Sequence, residues 1–123
     1  MPSEPRKTVL AVDDDRMNLR VLNGILSAEF DLLTAKTGEG ALARAREAAP
    51  DIVLLDLMLP DMSGFDVLRE LKGSPETRGI PVVVVSGGAG GDREGEAERL
   101  GAAGFVAKPF DGGALIEYIK AML

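Results

Sequence analysis

Four short apolar runs in this chain each end on a polar residue. Uninterrupted apolar runs separated by helical patterns are typical of parallel strands that are buried on both faces of a sheet. Ligands of such sheets bind outside the carboxyl ends of the strands. The pattern therefore predicts one sheet edge that collects carboxylates, a hydroxyl and an amine. The runs and the residues that follow them are 9–12 with Asp13 and Asp14, 52–55 with Asp56, 80–85 with Ser86, and 105–107 with Lys108.

Strand and helix patterns alternate five times from Thr8 onward. The predicted strands span 8–12, 30–35, 51–56, 80–85 and 104–107, with the second of them at an edge. Right-handed crossovers are nearly obligatory in parallel βαβ units, and helices then cover both faces of the sheet. We predict a flavodoxin-like, doubly wound α/β fold, with a five-stranded parallel sheet in the order 2-1-3-4-5 and five helices on its two faces.

Polar residues precede most of the predicted helices, as N-caps do. Ser63 and Asp66 form a candidate capping box for the third helix. A glycine-rich stretch over 87–95 stands where the fourth helix should begin, and each interior glycine costs about 1 kcal/mol relative to alanine. We therefore predict that this helix starts late, near Asp92, and frays. The other predicted caps are Asp15, Thr37 and Asp111.

The composition excludes several classes of protein. A chain of 123 residues is expected to form one domain over 8–123 behind a mobile leader over 1–7. No apolar stretch approaches the length of a membrane span, the first residues lack the apolar core of a signal peptide, and we expect a cytoplasmic protein. A net charge of −6 without a basic run argues against direct nucleic-acid binding. The absence of cysteine and histidine excludes thiol and imidazole chemistry.

In the predicted strand order, Asp13, Asp14 and Asp56 converge where the order reverses. At a separation of about 5 Å and an effective dielectric constant near 20, each pair of like charges costs roughly 3 kcal/mol. Such a cluster either holds protons or binds a cation, and carboxylates without histidine suit Mg²⁺. A carboxylate beside Mg²⁺ can act as a nucleophile toward phosphorus when Lys108 and Ser86 neutralise the transferred oxygens. The phosphoryl donor must then be another molecule.

Four sequence motifs of this chain match one family. They are Val-Asp-Asp-Asp ending at Asp15, Asp56-Leu-Met-Leu-Pro60 with Gly64, Val-Ser86-Gly87, and Lys108-Pro109-Phe110. In this order and spacing the chain resembles the receiver domain of two-component response regulators over residues 8–122. One of these motifs alone is weak, whereas the four together are specific.

The resemblance implies a role for each matching residue. Asp56 would be the phosphoacceptor, Asp14 would bind Mg²⁺ directly, Asp13 would hold it largely through water, and Asp56 and the backbone carbonyl of Met58 would complete the protein ligands, with Mn²⁺ as an alternative ion. Phosphoryl oxygens would be bound by Ser86, Gly87 and Lys108, and Pro60, Gly64 and Pro109 would shape the loops, the last with a cis peptide bond.

The resemblance also implies a switch and its partners. Ser86 would move toward the phosphoryl group together with Phe105, which lacks the hydroxyl of the tyrosine found in many relatives. The surface of the fourth helix, fifth strand and fifth helix would change, and it would also offer a site for a homodimer. The phosphoryl donor would be a histidine kinase or histidine phosphotransfer protein, and the output a downstream protein or an attached domain. The protein would be no enzyme beyond its own phosphorylation and slow dephosphorylation.

Three alternative functions compete with this interpretation. A haloacid dehalogenase-type phosphatase needs a second aspartate at the position of Met58. A flavin- or nucleotide-binding module needs a phosphate-binding loop after the first strand, where residues 13–15 of this chain are all aspartates. The third alternative, a degenerate receiver that acts as a phosphorylation-independent binding module, is opposed by the complete set of acids, hydroxyl and lysine. Taken singly, each acid also has a structural explanation as a helix cap or turn residue.

Overall fold

The computed structural model describes residues 6–87 and 92–123. Five strands and five helices alternate along the described chain. The strands are β1 (Thr8–Val12), β2 (Asp31–Ala35), β3 (Ile52–Leu55), β4 (Val82–Ser86) and β5 (Gly104–Ala107). The helices are α1 (Arg16–Leu26), α2 (Gly38–Ala48), α3 (Gly64–Gly73), α4 (Arg93–Arg99) and α5 (Gly112–Met122).

The strands form one parallel sheet in the order β2-β1-β3-β4-β5, which confirms the predicted topology. β1, β3 and β4 are almost entirely buried, whereas β2 and β5 lie at the edges and are partly exposed. The inner strands have a neighbouring strand on each side and helices on both faces, as buried parallel strands do, whereas each edge strand has a neighbour on one side only.

Side chains that alternate along each strand feed two separate hydrophobic clusters. In β1, Leu10 and Val12 belong to the cluster that is covered by α2, α3 and α4. Val9 and Ala11 point to the other face and belong to the cluster that is covered by α1 and α5. The helices therefore lie on both faces of the sheet, as predicted. No helix within 6–87 or 92–123 is long and apolar enough to cross a membrane.

The N-caps agree with the sequence, with one exception in detail. The side chains of the predicted caps each accept a hydrogen bond from a backbone N–H in the first turn of their helix. α4 begins after Asp92, which confirms its late start; its predicted fraying stays a prediction, and residues 88–91 of the glycine-rich stretch lie outside the described residues. The capping box is wrong, because Ser63 caps Phe65 at 3.1 Å while Asp66 pairs with Arg69 at 2.8 Å.

Three predicted strands begin later in the structure, the second and the third by one residue and the fourth by two. Ile80 was assigned to the fourth strand, but its N–H donates to Thr77 O at 2.9 Å and closes a turn, and Pro81 has no N–H to donate to the sheet. Phe30 was assigned to the second strand, but its N–H donates to Leu26 O at 2.9 Å at the end of α1. Local turns therefore compete with strand pairing at both positions, which apolar character alone does not reveal.

The predicted leader over 1–7 stays a prediction, since residues 1–5 lie outside the described residues. Arg6 is held in place in the structure. Its guanidinium donates to the carbonyl oxygens of Ser27 and, at 2.7 Å, of Phe30. The chain is therefore anchored to the end of α1 before β1 begins.

Candidate functional site

Two buried aspartates follow directly after the neighbouring strands β1 and β3. The N–H of Asp13 donates to Ala35 O at 3.0 Å, and the N–H of Asp56 donates to Val12 O at 2.9 Å, so both residues continue the hydrogen bonding of the sheet. Only 3% of Asp13 and 8% of Asp56 is exposed. Because the sheet fixes both backbones, it brings the two carboxylates to the same edge, as the strand ends predicted.

Lys108 bridges these two carboxylates from the end of β5. Its Nζ lies 3.0 Å from Asp13 Oδ2 and 3.1 Å from Asp56 Oδ2. The backbone N–H of Lys108 donates to Ser86 O at 2.9 Å, and the following peptide bond to Pro109 is cis. One ammonium group thus partly neutralises two acids that the sheet forces together.

Asp14 completes a cluster of three acids. It is exposed, unlike its neighbours, and one oxygen from each of Asp13, Asp14 and Asp56 lies within 4.8 Å of the others. A set of carboxylate oxygens at the protein surface suits a hard divalent cation that keeps part of its water shell. The residues present therefore fit a metal ion such as Mg²⁺.

The protonation equilibria of the buried groups point the same way. Burial raises the pKa of Asp56 above its ordinary value, although hydrogen bonds from the Met58 N–H and from Lys108 oppose this effect. The pKa of Lys108 is also raised: burial, the largest single cause, lowers it, but hydrogen bonds and charges from Asp13 and Asp56 together outweigh burial. Burial thus disfavours an ionised Asp56, and a further cation at this edge would favour it.

Asp13 is held by two donors besides Lys108. The backbone N–H of Asp15 donates to Asp13 Oδ1 at 2.9 Å, and the side-chain amide of Asn18 donates to Asp13 Oδ2 at 3.1 Å. The sequence reasoning missed Asn18. Its signal was a polar residue in the first turn of α1, five positions after an acid, where it can reach back over the end of β1.

The loop between β3 and α3 packs tightly against Asp56. The N–H of Met58 donates to Asp56 Oδ1 at 3.1 Å, whereas the Met58 side chain is exposed. Gly64 passes so close to this loop that a Cβ atom there would lie 2.5 Å from Asp56 O. Asp61, at the loop tip, accepts hydrogen bonds from the N–H groups of Gly38 at 2.7 Å and Glu39 at 3.0 Å.

These two hydrogen bonds link the loop to the first turn of α2. They are also the main reason that the pKa of Asp61 is lowered. Pro60, next to Asp61, is exposed. The loop that carries the Met58 carbonyl is therefore held from both ends, by Asp56 and by α2.

Ser86 and Gly87 lie beside Lys108 at the end of β4. Ser86 is buried, and its Oγ accepts a hydrogen bond from Arg93 Nη1 at 3.3 Å. A Cβ atom at Gly87 would lie 3.3 Å from Lys108 Cβ, so the glycine lets the lysine pass closely. The structure thus places both residues next to the lysine that bridges the acids.

Phe105 lies further from the acids. It pairs with Val84, and Ser86 pairs with Ala107 two positions later, so Phe105 and Ser86 share one face of the sheet. Phe105 is partly buried against the cluster under α2, α3 and α4, and it borders a cavity of about 110 Å³ between α4 and β5. The structure does not bring Phe105 into the acid cluster.

A larger cavity of about 470 Å³ opens beside the acids. Asp13, Asp56 and Lys108 line one end of it, and α1 and the segment after β5 contribute apolar side chains. The acids are therefore reachable from the surface, through a recess whose walls are largely apolar. Its apolar lining includes Val21, Leu22, Ile25, Pro109 and Phe110.

A doubly wound sheet with three carboxylates and a lysine at its carboxyl edge is the architecture of a signal receiver domain. The family model described as response regulator receiver domain matches residues 9–120. The chain therefore belongs to the response regulator receiver family, which confirms the resemblance that the four motifs indicated.

Curated relatives and solved structures agree with this assignment. Response regulator PleD of Caulobacter vibrioides is 44% identical over 116 residues, which are 93% of this chain and 25% of PleD. The polar-differentiation response regulator DivK of Brucella ovis is 34% identical over 121 residues, which are 95% of this chain and 96% of DivK. The chemotaxis protein CheY4 of Vibrio cholerae superimposes with a TM-score of 0.89 at 27% identity, covering 97% of this chain and 100% of CheY4. The chain thus spans a quarter of one relative and nearly all of another.

Proposed function

We propose that this receiver domain is a phosphorylation-dependent switch whose phosphoacceptor is Asp56. The observation that carries the proposal is the position of Asp56: its carboxylate ends a central strand, lies in a cluster of three acids and touches Lys108 at 3.1 Å. Burial keeps this carboxylate poorly solvated, which suits a nucleophile. Two-component signalling supplies the donor, a phosphohistidine on a histidine kinase or histidine phosphotransfer protein.

In the transfer, an oxygen of Asp56 attacks the phosphorus of the donor, and the bond between phosphorus and the donor imidazole nitrogen breaks. The electron pair of that bond stays on the imidazole nitrogen. Lys108 moves its ammonium group from the carboxylates to a phosphoryl oxygen, where negative charge gathers. Mg²⁺ held by Asp13, Asp14, Asp56 and the Met58 carbonyl supplies electrostatic neutralisation of the phosphoryl oxygens when it is bound.

The new charge then acts on Ser86 and its neighbours. The phosphoryl group carries about two negative charges and three acceptor oxygens. Ser86 Oγ donates to one of these oxygens, the Gly87 N–H to another, and Phe105 repacks on the same face of the sheet. The surface of α4, β5 and α5 changes and controls a downstream protein or an attached output domain. The same surface is where we would look for a homodimer.

Other parts of the proposal concern the setting. The domain spans 8–123 behind a leader over 1–7, works in the cytoplasm, and neither binds nucleic acid directly nor acts as an enzyme on other substrates. Its only chemistry is its own phosphorylation and slow dephosphorylation. Mn²⁺ would serve in place of Mg²⁺, because it accepts the same oxygen ligands.

The test is phosphorylation by a small donor. Incubation with acetyl phosphate and Mg²⁺ should add one phosphoryl group to the intact mass, and chelation of the metal should prevent this. The Asp56→Asn variant should gain no mass, whereas Asp66→Asn, which changes a half-buried acid on α3, should behave as the wild type. A domain that folds and gains no phosphoryl group would instead be a degenerate receiver that binds its partner without phosphorylation.

A further inference from the structure

Arg93, the first residue of α4, contacts Ser86 at the end of β4. Its Nη1 donates to Ser86 Oγ at 3.3 Å, and the side chain is half-buried. None of the four matching motifs includes this arginine, and the proposed transfer does not use it. An arginine has five N–H donors, so the contact with one hydroxyl leaves a fork of donors at the end of β4.

The neighbouring arginine of the same helix behaves differently. Arg99 pairs with Asp92 at 3.5 Å and with Glu96 at 2.9 Å on the exposed surface. Arg93 stands among the same acidic residues of α4, yet in the described part of the chain it forms no ion pair. Its guanidinium contacts a buried hydroxyl instead of a carboxylate of α4, so that within the described residues its charge has no paired acid.

The net charge of the site before and after phosphorylation indicates a role for the Arg93 guanidinium. With a divalent cation bound before phosphorylation, its two charges and the ammonium group of Lys108 would cancel the charges of the three carboxylates. After phosphorylation, Asp13 and Asp14 remain, and the phosphoryl group brings about two charges in place of the one on Asp56. One negative charge is then left over. A guanidinium binds such an oxyanion more strongly than it binds a neutral hydroxyl.

We propose that Arg93 is a second phosphoryl-binding cation, which transfers its guanidinium from Ser86 Oγ to a phosphoryl oxygen on Asp56. This inference rests on the proposed function. Ser86 keeps its own part in it, because the contact with Arg93 uses a lone pair of Oγ and not its O–H. Because Arg93 begins α4, its movement pulls the first turn of that helix toward the acids.

Beryllofluoride, a phosphoryl mimic, tests this in the full chain. Its affinity should be measured by NMR titration in saturating Mg²⁺ for wild type, Arg93→Gln, Arg93→Lys and Arg99→Gln. Arg93→Gln removes a charge-assisted contact and should therefore bind beryllofluoride roughly tenfold more weakly than wild type. The affinity of Arg93→Lys should lie between those of wild type and Arg93→Gln. Arg99→Gln, the matched loss of charge on the same helix, should stay within about twofold of the wild type by the same reasoning. The affinity for Mg²⁺ alone should be the same in all four proteins.

Two results would overturn the inference while leaving the proposed function intact. The first is that Arg93→Gln binds beryllofluoride as tightly as wild type or more tightly. The second is that Arg99→Gln loses as much beryllofluoride affinity as Arg93→Gln, which would indicate a long-range charge effect. Urea unfolding of each variant separates a lost contact from a lost fold. If the wild type itself binds no beryllofluoride and gains no phosphoryl group from acetyl phosphate, the proposed function fails first, and this inference with it.

Discussion

The Gly64→Ala substitution would drive a methyl group into the backbone that carries the phosphoacceptor. A Cβ atom at Gly64 would lie 2.5 Å from Asp56 O and 2.6 Å from Leu57 Cα. Both are main-chain atoms beside a buried strand, so neither can turn aside as the end of a side chain could. The N–H of Gly64 also donates to Leu57 O at 2.9 Å, which holds the two segments together. Relief of the clash therefore requires either the start of α3 or the end of β3 to move.

The cost follows from this geometry. Overpacking a well-packed core costs about 1–3 kcal/mol, and a clash against backbone belongs at the upper end of that range. We therefore expect Gly64→Ala to lower the free energy of unfolding by about 3 kcal/mol. At ~4 °C per kcal/mol for a domain of this size, the midpoint of thermal unfolding should fall by ~12 °C. Because Asp56 moves with its carbonyl, the yield of acetyl phosphate labelling should fall as well.

Gly24→Ala is the matched control. Gly24 lies within α1, and a Cβ atom there would have no neighbour within 4 Å. Alanine in an open helical position should therefore raise the free energy of unfolding by about 0.5–1 kcal/mol, with unchanged labelling. Urea unfolding followed by circular dichroism measures both variants. If Gly64→Ala unfolded at the wild-type urea concentration, the close approach of α3 to β3, and the reason given for this glycine, would be refuted.

Three other predictions follow from single residues. Burial raises the pKa of Asp56 above 3.8. Between pH 3.8 and the raised pKa, the folded protein therefore binds more protons than the unfolded chain. The contribution of Asp56 to stability is lost as pH rises through this window. In metal-free buffer Asp56→Asn should thus be more stable than wild type near pH 7, with the difference shrinking in acid, and equal urea midpoints at both pH values would contradict this. Asp61→Ala should weaken Mg²⁺ binding severalfold in an NMR titration, because it releases the loop of the metal site from α2. Thr37→Val removes only the α2 cap, so it should lower the free energy of unfolding by about 1 kcal/mol and leave Mg²⁺ affinity unchanged. Gly104→Ala should displace the Tyr118 ring that lies against it, which the fluorescence of this single tyrosine would report as a changed intensity.

The sheet and the acid cluster could be predicted because they depend on short local patterns. Apolar runs identify central strands, and the polar residue that ends each run is placed by the sheet itself. Asp13, Asp56 and Lys108 meet within hydrogen-bonding distance for that reason. The first residues of the strands are harder to predict. The turn that Ile80 closes with Thr77, for example, depends on a hydrogen bond between residues that carry no strong turn signal.

Contacts between elements could not be predicted from the sequence. The pairing of Asp66 with Arg69 prevailed over the capping box because an arginine one turn away offers a charged partner. Asp61 contacts α2 across 23 positions of sequence, and Asn18 reaches Asp13 over the end of β1. Each of these contacts needs the relative position of two elements, which periodicity does not provide.

The distribution of charge explains why a change at Asp56 should be felt on one side of the domain. The acids follow β1 and β3, whereas the cations that contact them or Ser86 come from the other side, Lys108 after β5 and Arg93 on α4. In the proposed function, phosphorylation of Asp56 adds negative charge on the acidic side, where the backbone is hydrogen-bonded into the sheet. We expect the longer basic side chains to respond, and each to pull on the element that carries it. α4 and the end of β5 carry these cations, which agrees with the proposed output surface of α4, β5 and α5.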